Sequence, residues 1–243
     1  VSTLAKEGAK ETIEALELGA FDFITKPDSL AVAKGPSFGR LLVSMLYAAT
    51  GVSAAGYEEQ PKEEETFKTR KEPVRNSVLK SKLEKVSGSQ LKADRSRHSG
   101  GVVGSGTSKL VALACSTGGP KALQYVIPFL PENLDAAVLL VQHMPEGFTA
   151  SLSKRLDELS RIHVKEAEHG EVLQKGTVYI AKGGAQMRLL EKNKKVHSLS
   201  VTVEAARNAL KPCADIMYES LMKTSFDDIT CVVMTGMGAD GTQ

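Results

Sequence analysis

Ser116, His143 and Asp240 are the residues of this chain whose types and settings could do chemistry together. Each stands just beyond an apolar run of strand character. Ser116 follows Leu110–Ala114, His143 follows Ala137–Gln142, and Asp240 lies in the glycine-rich turn after Ile229–Thr235. Open α/β sheets place their chemistry at the carboxyl ends of strands. If these three strands are parallel neighbours, the three side chains meet at one sheet edge. A serine, an imidazole and a carboxylate so placed are the parts of a nucleophilic hydrolase. His143 would take the Ser116 proton and return it to the leaving group, while Asp240 would hold the imidazole tautomer and stabilise the imidazolium. Backbone N–H groups of the glycine-rich turns, such as Gly118, would form the oxyanion hole, each donor worth about 3 kcal/mol.

Taken singly, each residue has a plainer reading. A serine before Gly118-Gly119 suits a turn or a phosphate cradle, with the helix N-terminus behind it favouring negative charge. An aspartate between glycines suits an Asx turn. The serine loop is not the Gly-x-Ser-x-Gly elbow, and the order Ser, His, Asp differs from that of the α/β-hydrolases. A nucleotide- or phosphate-binding module using the Ser-Thr-Gly-Gly loop is therefore the alternative, although the Gly-x-Gly-x-x-Gly fingerprint and the P-loop lysine are both missing.

The elements needed to position these residues are legible in the hydrophobic pattern. From Lys109 onward, long apolar strands alternate with amphipathic helices, as in Gly147–Leu159, where Phe148, Leu152, Leu156 and Leu159 share a face. Helices are expected over Ala122–Phe129 and Ala214–Lys223, short strands over Val164–Ala167 and Thr177–Ala181, and a hairpin over Met187–Leu190 and Val196–Val203. This alternation predicts a doubly wound α/β domain with a mostly parallel sheet and helices on both faces.

Residues 1–48 show a helix over Lys10–Leu18, a short strand over Phe21–Ile24 and a helix over Gly39–Ala49. Residues 49–108 are polar, of mixed charge and poor in aliphatics, as expected of a flexible linker that cannot bury enough apolar surface to offset its ordering entropy. The third region is 109–243. A formal net charge of +2 gives no reason to expect nucleic acid or a membrane as partner. Cys115, Cys213 and Cys231 lack metal-ligand spacing and suit buried thiols in a reducing compartment. No apolar run is long enough to span a bilayer and no signal peptide is evident, so the expected location is cytoplasmic. The chain opens on Val1 in what reads as a strand end and stops at Gln243 soon after a glycine-rich turn, which suggests a fragment of a longer protein.

Three stretches carry a family resemblance: Cys115-Ser116-Thr117-Gly118-Gly119, Val141 to Thr149 (VQHMPEGFT) and Thr235 to Gly241 (TGMGADG). Together, over residues 109–243, they resemble the protein-glutamate methylesterases of bacterial chemotaxis (CheB). The resemblance implies that Ser116, His143 and Asp240 are the catalytic residues, that Thr117 and Met237 line the same pocket, and that the Met237 N–H is a candidate oxyanion donor. It implies hydrolysis of glutamyl methyl esters on chemoreceptors, with receptor glutamine deamidation as a further family activity, and a chemotaxis histidine kinase as partner. No cofactor is implied for the hydrolysis.

Residues 1–27 are similar to the last third of a response-regulator receiver, a flavodoxin-like domain. There Ser2 matches the switch hydroxyl, Phe23 the switch aromatic and Lys26 the lysine that contacts the aspartyl phosphate. The phosphoacceptor and the acidic pair that binds Mg²⁺ in that family would lie before Val1, so no residue here is assigned to phosphorylation or metal binding. With so little of a receiver, residues 1–48 are expected to be poorly ordered or unusually packed.

Overall fold

The computed structural model describes residues 6–25, 27, 29, 34–51, 109–193 and 196–242. The expected linker, 49–108, lies almost wholly outside them. The helices are α1 (Lys6–Glu17), α2 (Pro36–Thr50), α3 (Gly119–Val126), α4 (Phe148–Leu159) and α5 (Ala214–Leu221). The strands are β1 (Lys109–Cys115), β2 (Ala137–Gln142), β3 (His163–Glu166), β4 (Thr177–Ile180), β5 (Gln186–Asn193), β6 (Val196–Thr202) and β7 (Asp228–Val233).

Five strands form one sheet in the order β3-β4-β2-β1-β7, and every neighbouring pair is parallel. The near-continuous apolar runs of β1 and β2 follow from this, because a parallel sheet is covered on both faces. Period-2 alternation then sorts their side chains. Leu113, Cys115, Val138 and Leu140 face one core, with Leu123 of α3 and Phe148, Leu152 and Leu156 of α4. Leu110, Ala112, Ala114, Leu139 and Val141 face the other, with Met217 and Leu221 of α5 and Met187, Leu189 and Leu199 of the β5–β6 hairpin. The mostly parallel α/β fold expected from the sequence is present. One face, however, is covered jointly by a helix and an antiparallel hairpin rather than by helices alone.

Two local expectations are corrected. The single helix over 122–129 is instead α3 followed by a 3₁₀ turn, Ile127–Phe129. Pro128 has no N–H to continue the α-helical ladder. Residues 21–24 form no strand. The Asp22 carboxylate accepts the N–H of Phe23 at 2.7 Å, a local bond that competes with sheet pairing. The Phe23 ring stacks on Phe148, with centroids 4.8 Å apart and planes 17° from parallel. Ala9, Ile13 and Leu16 of α1 are buried in the core that α3 and α4 share. α1 therefore packs as an amphipathic helix whose apolar side lies against α4.

Among the described residues no helix is long and apolar enough to cross a membrane. Leu123 of α3 is fully buried in the core shared with α4. Leu123→Ala is expected to lower unfolding free energy by about 2–5 kcal/mol, read from urea midpoints at constant m.

Candidate active site

β1 delivers Ser116, and neighbouring turns hold it in place. Its N–H donates to the Thr235 carbonyl at 2.9 Å, and its own carbonyl accepts the Gly119 N–H at 2.8 Å, closing the turn that opens α3. A Cβ at Gly236 would lie 2.9 Å from the Ser116 Cβ, so the turn after β7 can lie against the serine only because residue 236 is glycine. The Thr235 hydroxyl donates to the Thr117 carbonyl at 3.0 Å, a second tie between the two loops.

β2 delivers His143. Its N–H donates to the Cys115 carbonyl at 3.1 Å, carrying the parallel pairing one residue past the strand. On the ring, Nε2 lies 2.7 Å from Oδ2 of Asp240, and the two side chains are 16% and 6% exposed. Asp240 thus engages the imidazole at Nε2.

The Asp240 carboxylate does a second job. It accepts the N–H groups of Ala214 at 2.6 Å and Asp215 at 2.9 Å, and the Cys213 thiol at 3.1 Å. These are first-turn donors of α5, whose N-cap residue Cys213 makes no side-chain cap of its own. Such donors need an external acceptor, and the helix dipole favours an anion there. Asp215 returns the contact by accepting the Gly241 N–H at 2.7 Å. Burial opposes the charged form of Asp240. The His143 ring, the two N–H groups and the thiol outweigh it and hold the carboxyl well below its ordinary value.

Ser116, His143 and Asp240 line one cleft, with Met237, Val233 and Thr242. Thr117 and Gly118 are not among its lining residues. Thr117 is buried, and the Gly118 N–H donates to the Asp22 carboxylate at 2.8 Å. Burial pushes the Asp22 carboxyl above its usual value, against the pull of the Gly118 and Phe23 N–H groups. Phe23 stands in the packed stretch described above, whereas Ser2 and Lys26 lie outside the described residues. Sequence reasoning missed Asp22, Cys213 and Asp215. Only Asp215 carried a signal, as an acid in the first turn of a helix.

The Asp240 network has a pH signature. A carboxylate whose folded-state value lies below its unfolded value stabilises the fold above the unfolded value and loses that contribution as pH falls through both. Asp240→Ala should cost about 1–2 kcal/mol at pH 7 through loss of the cap. The gap between parent and variant in urea unfolding should stay constant down to about pH 5 and shrink below about pH 4.

Comparison with known proteins places this geometry in a family. Residues 111–243, more than half of the chain, match the family model described as CheB methylesterase. The protein-glutamate methylesterase/protein-glutamine glutaminase 1 of Syntrophomonas wolfei is 40% identical over 243 residues, covering 99% of this chain and 61% of its own length. The Bacillus subtilis protein-glutamate methylesterase/protein-glutamine glutaminase is 40% identical over 242 residues, 100% of this chain and 61% of that protein. The chain therefore spans about three fifths of the length of the curated relatives it matches. The crystal structure of the Thermotoga maritima CheB methylesterase catalytic domain superposes with a TM-score of 0.52 at 40% identity, covering 58% of this chain and 72% of that one. A parallel sheet that gathers a serine, a histidine and an aspartate at one edge is thus joined to similarity along the whole chain, and the chain belongs to the CheB methylesterase family.

Proposed function

We propose that the cleft hydrolyses glutamyl γ-methyl esters on methyl-accepting chemoreceptors, with Ser116 as nucleophile, His143 as general base and acid, and Asp240 as the carboxylate that orients the imidazole. The observation that carries this reading is the gathering of the three side chains in one cleft, with the His143–Asp240 contact at 2.7 Å. His143 takes the hydroxyl proton as Ser116 Oγ adds to the ester carbonyl carbon. Met237 lines the cleft, and its N–H is assigned the oxyanion role. Collapse of the tetrahedral intermediate expels the methoxy group, which takes the proton from His143 and leaves as methanol. Water then adds to the acyl group, giving its proton to His143. Breakdown returns that proton to Ser116 and frees the glutamate side chain. The same acyl route removes ammonia from a glutamine side chain, an activity that the relatives' names include.

The phosphate-cradle alternative is the weaker reading. The N–H groups of Ser116, Gly118 and Gly119 already donate to protein acceptors, which uses the donors a phosphate would need.

Three regions are assigned: 1–48 to the end of a receiver, 49–108 to a linker and 109–243 to the catalytic domain, in a cytoplasmic protein that works with a chemotaxis histidine kinase. The N-terminal region restrains the site. Supporting this are the Asp22–Gly118 hydrogen bond and the position of Phe21, whose ring a Gly118 Cβ would meet at 3.5 Å. Deletion of residues 1–108 is expected to raise esterase turnover, and turnover no higher than that of the unphosphorylated full-length protein would overturn the restraint.

For the catalytic assignment, membranes carrying methylated receptors are incubated with the full-length protein and methanol is measured. Ser116→Ala should reduce its release by about 10⁴- to 10⁶-fold, the loss seen when triad members of serine hydrolases are removed. Unchanged turnover would remove Ser116 from the reaction.

A further inference from the structure

Gln142 is a polar side chain in an apolar setting. It ends β2, faces the core shared with α3 and α4, and is 2% exposed. Its primary amide has one acceptor and two donor hydrogens, and each is directed at the edge of the sheet where the chemistry is assigned. Nε2 donates to the carbonyl of Ser116 at 3.0 Å and to the carbonyl of His143 at 3.2 Å. Oε1 accepts the Cys115 thiol at 3.0 Å.

Sheet register explains the third contact. Cys115 and Gln142 are direct partners across the parallel β1–β2 pair, so their side chains stand side by side on one face. Burial pushes the Cys115 thiol up to about 12, which keeps it protonated and a donor. The thiol therefore selects the amide orientation. Reversal would turn Oε1 toward two carbonyl oxygens and leave Nε2 facing an S–H. A Cβ on Gly119 would fall 2.0 Å from Oε1, so the first turn of α3 closes over the amide only with glycine there.

We infer that Gln142 is a positioning residue for the reaction: its buried amide, oriented by Cys115, bridges the carbonyls of Ser116 and His143 and sets the separation of their side chains. The inference rests on the proposed esterase reading. Ser116 and His143 stand on different loops. β1–β2 pairing holds the strands beneath them but ends at Cys115 and Gln142. Past that rung, the His143 N–H bond to Cys115 and the Gln142 amide continue the connection. An apolar side chain of similar shape would leave the Ser116 and His143 carbonyls without these donors. A glutamate would set negative oxygen against them. Misplacement by about 1 Å of groups that must meet in a near-attack geometry costs about 100-fold in rate.

The test uses the full-length protein and two readouts: methanol release from methylated receptor membranes, and the rate at which a serine-directed phosphonate labels Ser116. Gln142→Leu and Gln142→Glu should lower kcat by about 10- to 100-fold with KM nearly unchanged, and slow phosphonylation in parallel. Cooperative unfolding of both variants should be retained. A folded Gln142→Leu protein with parental kcat and labelling rate, tested where Ser116→Ala abolishes turnover, would overturn the positioning role alone. Turnover surviving Ser116→Ala would instead overturn the esterase reading. If neither Gln142 variant folds, Cys115 decides. Cys115→Ala should lose several-fold in kcat at constant KM, and Cys115→Ser, which restores a donor, should recover most of it. Equal kcat for the two Cys115 variants would overturn the inference.

Discussion

Parallel pairing of β1 with β2 on one side and with β7 on the other is the constraint on which the site depends. In a parallel pair the strands run the same way, so the chain leaves all three at the same edge. Ser116, His143 and Asp240 are 27 and 97 residues apart along the chain, and only this registry brings their loops together. An antiparallel pairing of any of the three would send one group to the opposite end of the sheet. The apolar strands therefore do more than fill a core. Ala112, Leu113, Leu139 and Leu140 are buried on both sides of the sheet, and the energy of that burial holds the edge in register.

Beyond the last rung of the sheet, buried polar contacts take over from hydrophobic packing. Apolar contacts are non-directional and cannot fix a loop to a fraction of an ångström. Hydrogen bonds in a low-dielectric interior can, because each has a preferred geometry and is expensive to leave unmade. Asp240 shows the economy of this arrangement, since one carboxylate contacts the imidazole and also caps α5. The two tasks are mutually supporting. The N–H groups that need an acceptor keep the carboxylate charged, and the charged form is what an imidazolium needs beside it. The Asp215–Gly241 bond closes the ring, so α5 and the turn after β7 position each other.

Among the described residues, the N-terminal region enters this network through Asp22. α1 lies on α4 through Ala9, Ile13 and Leu16, and Phe23 stacks on Phe148 where α4 begins. The segment between these contacts is thereby laid beside the serine loop, and Asp22 takes the Gly118 N–H. Asp22 also shows why the expected strand over 21–24 does not form. A short polar side chain that bonds the next backbone N–H offers the chain an alternative to a sheet ladder.

Much of the domain was legible in the order of residues. Long apolar runs alternating with amphipathic helices pointed to a parallel α/β sheet, because burial on both faces demands such runs. The chemically capable residues stood out by type and by their place after strands. Local pattern was less informative about ends, as Pro128 shows by breaking the expected helix into α3 and a 3₁₀ turn. Which strands are neighbours was decided only in three dimensions, since strand order depends on crossovers that periodicity does not encode. The same holds for the Gln142–Ser116, Cys213–Asp240 and Asp22–Gly118 hydrogen bonds, which reach across 26 or more positions. A side chain's own sequence neighbourhood reports its propensity and polarity. What it touches when buried is set by the packing of the whole domain, and at this site those long-range hydrogen bonds hold the residues that the sequence could only nominate.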